Sequence, residues 1–488
     1  MNHVRYRLPP VLTEEQLEMI VRDGLSILEE IGIECRHEGI QALVARQPGA
    51  RVANSRLYFS RELCREHMAR IRQRARGLHD PSREHTQKAP ADTTPPKTEH
   101  IRLTPVGPWT CIQVLDMDTG QYRMGTLRDT ADATRLGESL GIIGRKICAP
   151  VAPADVPRHL NCLAMAKESW KYSAGSGAGI ASNVREIGYL WELGQIAEVP
   201  PPYSYLEYAI SPLTFNADAL DLAYQLRGSE RLKALAIDPG PIPTLGGTAP
   251  LAFKAVLAQS VAETLGGSLL AYLLTDGDTL PLCSAMTAIA TDMRFGTVNF
   301  SSPESVFLLQ MGFEVGSYVT GVFGIGGALR TIAKAPDAQA AAEKMTCALI
   351  GALSGARHFC DLGQLSIDEV FSYEQMVLDM EILASAERFV NGFPFEAEAD
   401  TLALIREGLE SRNFYGHPRT LEEFRNYYWF PNLFEYRMLT PWQAAGAPSL
   451  VEKARTIARE KIAACPPRVD AAQERKMEDL FARAAREL

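Results

Sequence analysis

Arg330 stands in GIGGALRTIAKAPDAQAAAEK, where small residues let the backbone approach closely and Pro336-Asp337 opens a helix. A guanidinium in such a place can hold a carboxylate through two parallel hydrogen bonds; a salt-bridging or helix-capping arginine is the competing reading. Lys334, four residues on, would serve as a Schiff-base or acid–base lysine if desolvated, although its neighbours do not demand burial. His358 lies in the apolar run Ala356-Arg357-His358-Phe359-Cys360, and alternation alone does not say whether it points inward or fills a structural role. Trp109, Tyr205, Tyr208, Phe215, Phe295, Phe300 and Phe323 fall near expected strand ends or in the preceding hairpin region. Ring faces there can cage a quaternary ammonium ion at about 0.5–2 kcal/mol per good contact, against the commoner role of core packing.

Other chemistries lack their signatures. HxH, HExxH and two-His-one-carboxylate spacings are absent, so no tightly bound catalytic metal is expected. GxSxG and GxxxxGK[ST] are absent too, which removes the hydrolase elbow and the P-loop. Gly175-Ser176-Gly177-Ala178-Gly179 follows a candidate strand but lacks the rest of a dinucleotide fingerprint, and reads more simply as close backbone approach at a barrel rim.

The elements that would position these residues alternate helical periods with short apolar runs from about residue 128, the pattern of βα units around a parallel sheet. Candidate strands are 145–151, 171–177, 203–210, 232–237, 269–275, 282–286, 319–325 and 356–360. Helices fit at 157–169, 184–197, 216–227, 250–266, 303–317, 337–353 and 373–390. The fold class is therefore α/β, a (β/α)8 TIM barrel over 128–395, with residues 1–127 as an N-terminal helical extension, linker and hairpin, and 396–488 as a C-terminal helical extension. One connection fails: Asp276 to Pro281 is too short for a helical crossover, so that unit is degenerate or one strand has been split in two. A doubly wound sheet is the alternative architecture.

Before the barrel, Thr13 and Gln16 form a capping box ahead of an amphipathic helix at 13–34, whose stripe needs a partner surface. A second helix spans roughly 60–76, residues 77–100 read as a loop or mobile linker, and 110–126 read as a hairpin around Asp118-Thr119-Gly120. The aromatics within 417–437 are too many for a solvated tail and should pack on the barrel or on another subunit.

Composition narrows the partners. Over 488 residues, 50 Lys+Arg against 59 Asp+Glu give a net charge of −9, with 46% hydrophobic and 22% charged residues. That balance argues against a phosphate-tracking surface, hence no nucleic acid. Without a long uncharged apolar run or an apolar leader near Met1, a cytoplasmic protein with no membrane span is expected. Nine scattered cysteines, never spaced CxxC, read as reduced small hydrophobes.

An ordered series of segments, LTEEQLEMIVRDGLSILEEIGIE, LDMDTGQYR, PADVPRHLNCLAMAKESWK, GGTAPLAFKAVLAQSVAETLGG, DMRFGTVNFSSPE, AKAPDAQAAAEK and SYEQMVLDMEI, resembles the trimethylamine corrinoid methyltransferase (MttB-like) family from about residue 12 to 395. The resemblance implies a (β/α)8 barrel that moves a methyl group from a methylated amine to the Co(I) of a separate corrinoid carrier protein. The trimethylamine branch carries pyrrolysine; this chain has only standard residues, which implies the branch using quaternary amines such as glycine betaine, proline betaine or carnitine. By resemblance and position, Arg330 is placed on a substrate carboxylate, His358 as a pocket hydrogen bonder, and Trp109 and Phe323 on the methylammonium face. No catalytic residue is assigned. The DxHxxG element that holds cobalamin in carriers is missing, so the corrinoid is expected on a partner or free, with no cofactor tightly bound to this chain. A sulfonium donor on the same fold, or a non-catalytic binding or assembly role, are the alternatives. The helix at 13–34 and the C-terminal aromatics suggest a homo-oligomer.

Overall fold

The computed structural model describes residues 2–6, 8–77, 100–142, 149–175, 179–281, 286–321, 326–396, 399–410 and 412–488, and shows a mixed α/β fold. Several helices begin where the sequence supplies a cap. The Gln16 N–H donates to the Thr13 hydroxyl while the Thr13 N–H donates to the Gln16 side chain, so Glu14–Ser26 opens on the expected box. All seven helices expected between 157 and 390 form, as Asn161–Trp170, Val184–Ala197, Ala217–Gln225, Phe253–Leu274, Pro303–Thr320, Ala338–Leu353 and Tyr373–Asn391.

One expected strand, 269–275, is instead the last part of the helix Phe253–Leu274, of whose 22 residues 17 are buried. A helix buried on every side has no polar stripe, so its apolar run cannot be told from an inner strand by period. The helix Glu14–Ser26 lies directly on it: a Cβ at Gly24 would fall 2.6 Å from Val261 Cγ1. Ile20, Val21 and Leu25 are thereby covered within the chain, and this stripe does not await another subunit. Two further strand expectations change. Lys171 and Tyr172 form a turn, with 176–178 outside the described residues, and Val319 and Thr320 end the helix Pro303–Thr320, with 322–325 outside. Residues 145–148 and 282–285 also lie outside, as does nearly all of the expected linker at 77–100.

The strands that do form are short and mostly parallel. Ser204–Glu207 pairs with Leu235–Asp238. Gly326–Ala328 pairs with His358–Cys360, which pairs in turn with Thr104–Pro105, a two-residue strand the hydrophobic pattern did not signal. Cys111 bridges Val151 in the same parallel sense. Among the described residues these ladders belong to separate small sheets and do not close a ring. The expected hairpin is present as Gln113–Leu115 and Tyr122–Met124. Its turn is fastened by Arg123, whose guanidinium bonds both Asp116 and Asp129, while the Tyr373 hydroxyl donates to Asp129 from the helix Tyr373–Asn391.

At the C-terminal end, Ala471–Glu487 seats Met477, Leu480 and Ala484 in the main core, and Lys167 donates to both Glu478 carboxylate oxygens at 2.7 and 2.6 Å. Lys344 and Asp379 form an ion pair at 2.7 Å with neither side chain exposed. Burial raises the pKa of Asp379; the Lys344 ammonium, the Gly363 N–H and the Gln375 amide oppose that rise. Lys344→Met should lower the unfolding free energy by about 3–5 kcal/mol, because it strands a buried carboxylate. In urea unfolding, Lys344→Met/Asp379→Leu should recover most of the loss; failure to recover would show that the carboxylate is needed for its bonds to Gly363 and Gln375 and not for the ion pair.

Candidate functional site

Successive side chains of a strand point to opposite faces, so one buried residue fixes the direction of its neighbours. Leu206, Leu235 and Ile237 enter the main core, which turns Tyr205, Glu207, Ala236 and Asp238 to the other face, and these are the less buried positions. Phe359 is fully buried, and a Cβ at Gly327 or Gly351 would meet its ring at 2.4 or 3.1 Å. Those two glycines make room for the ring, and His358 and Cys360 turn the opposite way. The faces away from the core carry the polar side chains of these strands.

One polar group is built on the paired strands Ser204–Glu207 and Leu235–Asp238, whose register sets Asp238 opposite Glu207 and Ala236 opposite Tyr205. Burial raises the pKa of Asp238, while the Gly240 N–H at 3.0 Å and the Tyr205 hydroxyl donate to its carboxylate and pull the other way. Gly240 has φ +59°, and a Cβ there would fall 2.7 Å from the Glu207 carboxyl, so glycine is required by conformation and by space. Trp109 meets Tyr205 edge to face, with ring centroids 5.1 Å apart. Its carbonyl accepts from the Gln364 amide at 3.1 Å. Trp109 thus follows the strand Thr104–Pro105 and is tethered to the loop beyond His358–Cys360.

A second group follows the strands Gly326–Ala328 and His358–Cys360. Arg330 Nε donates to Asp361 Oδ2 at 2.8 Å, and its guanidinium carbon lies 3.9 Å from the centre of the Phe300 ring. The Cys360 thiol donates to the same Asp361 oxygen at 3.1 Å. Burial works against the charge of Arg330, but the Asp361 carboxylate outweighs it and the pKa is raised. Burial raises the pKa of Asp368, opposed by Arg330. Among the described residues, the two terminal guanidinium nitrogens of Arg330 make no hydrogen bond, and the side chain keeps 15% of its exposure. The arginine is therefore salt-bridged through Nε, with its terminal nitrogens unpaired among the described residues.

Of the residues singled out in the sequence, the structure joins Trp109 to Tyr205 and Arg330 to Phe300, and sets His358 one pleat before Cys360. Phe323 lies outside the described residues. Lys334 is exposed and donates to the Ile332 carbonyl at 2.6 Å, which removes the desolvated-lysine reading. Tyr208 and Phe215 are core, their rings tilted against each other with centroids 5.6 Å apart and the Tyr208 hydroxyl donating to the Gly267 carbonyl, and Phe295 is 75% exposed in a turn. Glu207 was missed; its signal is the alternation in Tyr205-Leu206-Glu207, which ends a strand on two polar residues of one face. Among the described residues, no group of three or more His, Cys, Asp or Glu could hold a metal ion, and no helix is long and apolar enough to cross a membrane.

Residues 2–488 match the profile of the trimethylamine methyltransferase (MTTB) family. The chain belongs to that family. Among its relatives, the glycine betaine methyltransferase of Desulfitobacterium hafniense (strain Y51) is 25% identical over 98% of each chain. The trimethylamine methyltransferase MttB of Methanosarcina barkeri is 27% identical over 72% of each. The crystal structure of the Methanosarcina barkeri monomethylamine methyltransferase (MtmB) superposes with a TM-score of 0.45 and 9% identity, covering 93% of this chain and 88% of that one.

Tyr205→Phe removes a donor to the charged form of Asp238, so the carboxyl pKa should rise further. Calorimetric binding of tetramethylammonium, followed as the pH is lowered, should weaken as the carboxyl protonates, with the midpoint at higher pH in the variant than in the wild type. An unmoved or lowered midpoint would separate Asp238 from the cation.

Proposed function

We propose that the chain moves a methyl group from a betaine, a quaternary amine bearing a carboxylate, to the Co(I) of a corrinoid held by a separate carrier protein. Family membership and full-length similarity to a glycine betaine methyltransferase support the reaction class. The observation that carries the substrate reading is that a ring-and-carboxyl group, Trp109, Tyr205, Asp238 and Glu207, and Arg330, whose terminal nitrogens make no hydrogen bond among the described residues, both stand at the C-terminal ends of parallel strands. The first suits a trimethylammonium head and the second a carboxylate.

The architecture on this reading is a (β/α)8 barrel with its site at the C-terminal strand ends. Thr104–Pro105, paired beside His358–Cys360, supplies the strand that 269–275 does not, so on this reading the barrel starts before residue 128, and the flanking helices are N- and C-terminal extensions.

The corrinoid, when bound beside this site, supplies a Co(I) nucleophile for the methyl carbon. The leaving group departs as a neutral tertiary amine, so no residue here has to donate a proton; the chain's work is desolvation and alignment. Trp109 and Tyr205 replace water around the methyl groups, and the carboxyls balance the ammonium charge. Arg330 anchors the carboxylate from Asp361 and Phe300, and His358 donates or accepts a hydrogen bond from the lumen wall. Exposed Leu251, Met293 and Phe295 lie at the exit end, after Thr244–Leu245 and in the turn after Ile289–Asp292, and give the rim an apolar edge that fits a macrocycle carried on another protein.

Anaerobic spectra of reduced corrinoid carrier with this protein should show conversion to the methylated cobalt species with glycine betaine, and not with trimethylamine. Arg330→Ala should raise the KM for betaine at least about 10-fold, the loss of one charge-assisted bond, and leave turnover of tetramethylammonium within about two-fold. No methylation with any quaternary amine in the presence of carrier would sink the reaction; an unchanged KM would sink the role of Arg330.

A further inference from the structure

Between Phe389 and Leu439, about a tenth of the chain, lie 14 of the 28 exposed large hydrophobic side chains found among the described residues. In the helix Thr401–Glu410, Leu402, Ile405 and Leu409 recur at helical spacing and are 67%, 48% and 66% exposed, so its apolar stripe faces out. The helix Pro418–Tyr427 has no buried residue at all.

These pieces form one surface. Phe393–Phe395 pairs with Asn2–Val4 and touches the helix Pro418–Tyr427, Tyr6 stacks on Phe389 at 5.3 Å, and Arg388 covers Phe393 while donating to the Tyr427 carbonyl. Gly408 carries Phe414 against its backbone, and His417 bonds Glu407, which joins the outward-facing helix to its neighbour. The surface also has a definite place. Asn391 and Glu387 bind the backbone of Ile101 and Leu103, immediately before the strand Thr104–Pro105, so the patch lies at the N-terminal ends of the parallel strands. Arg330, Asp361 and Asp238 stand at their C-terminal ends.

We infer that this surface is the contact between two copies of the chain. At roughly 100 Å² exposed per large apolar side chain, the segment offers on the order of 1,000 Å². That exceeds the roughly 300–600 Å² patches of ordinary monomers and meets the roughly 800 Å² per partner of a stable interface. Its charge disfavours an anionic lipid surface as occupant, because five arginines in 389–439 face eight carboxylates. A second copy docked here leaves the strand exits open, so self-association and methyl transfer use opposite ends of the molecule. A two-fold interface of this kind is self-complementary, which doubles the effect of each substitution.

Sedimentation velocity of the full chain at micromolar concentration should give at least twice the monomer mass. Leu402→Glu/Leu409→Glu should shift it to the monomer while its thermal unfolding stays cooperative; if that variant does not fold, Tyr415→Glu, at a position 89% exposed, carries the same test. Met293→Ser/Phe295→Ser, at the opposite end, should leave the assembly intact. A monomeric wild type, or folded patch variants that keep the wild-type mass, would overturn the interface, and so would loss of assembly in the Met293/Phe295 variant alone. None of these outcomes depends on whether methyl transfer is observed.

Discussion

The two-residue period of a strand decides what this protein presents to a ligand. Each parallel ladder is only two to four residues long, so one buried side chain sets the direction of the whole element. Phe359 does this for His358 and Cys360 by filling the space left by Gly327 and Gly351. Leu206 and Ile237 do it for Glu207 and Asp238. A slip of one residue would turn those carboxyls into the helix layer, where an unpaired charge costs several kcal/mol. Packing on one face is thus the condition for chemistry on the other.

The polar strand faces divide their charges between two supports. Asp361 has a positive φ of +72°, turns back after the strand and reaches Arg330, with the thiol of Cys360 on the same oxygen and the Phe300 ring beneath the guanidinium. Asp238 and Glu207 are set side by side by strand register and framed by Tyr205 and Trp109. On the proposed reading a zwitterion satisfies both supports at once, whereas a neutral amine satisfies neither and a simple cation only one.

Much of this was legible in the sequence because helical period and capping are local signals. Thr13 with Gln16, Asn183 ahead of Val184–Ala197 and Ser372 ahead of Tyr373–Asn391 announce their helices in the residues that cap them. The hairpin at 110–126 was legible for the same reason. Residues 269–275 were not, since a fully buried helix loses the stripe that identifies it, although the short connection from Asp276 to Pro281 already marked the conflict. Thr104–Pro105 carries too few residues for any pattern. Glu207 escaped because its role depends on register with Asp238, and the partner of the helix Glu14–Ser26 because the contact spans more than two hundred residues.

The trimethylammonium protons of glycine betaine, titrated with the protein and followed by proton magnetic resonance, report the ring environment of the bound methyl groups. Seated on the faces of Trp109 and Tyr205, they should shift upfield as the site fills, and the shift should collapse in Trp109→Leu while the fold is retained. Saturable binding with an unshifted methyl resonance would contradict a cation held by these rings.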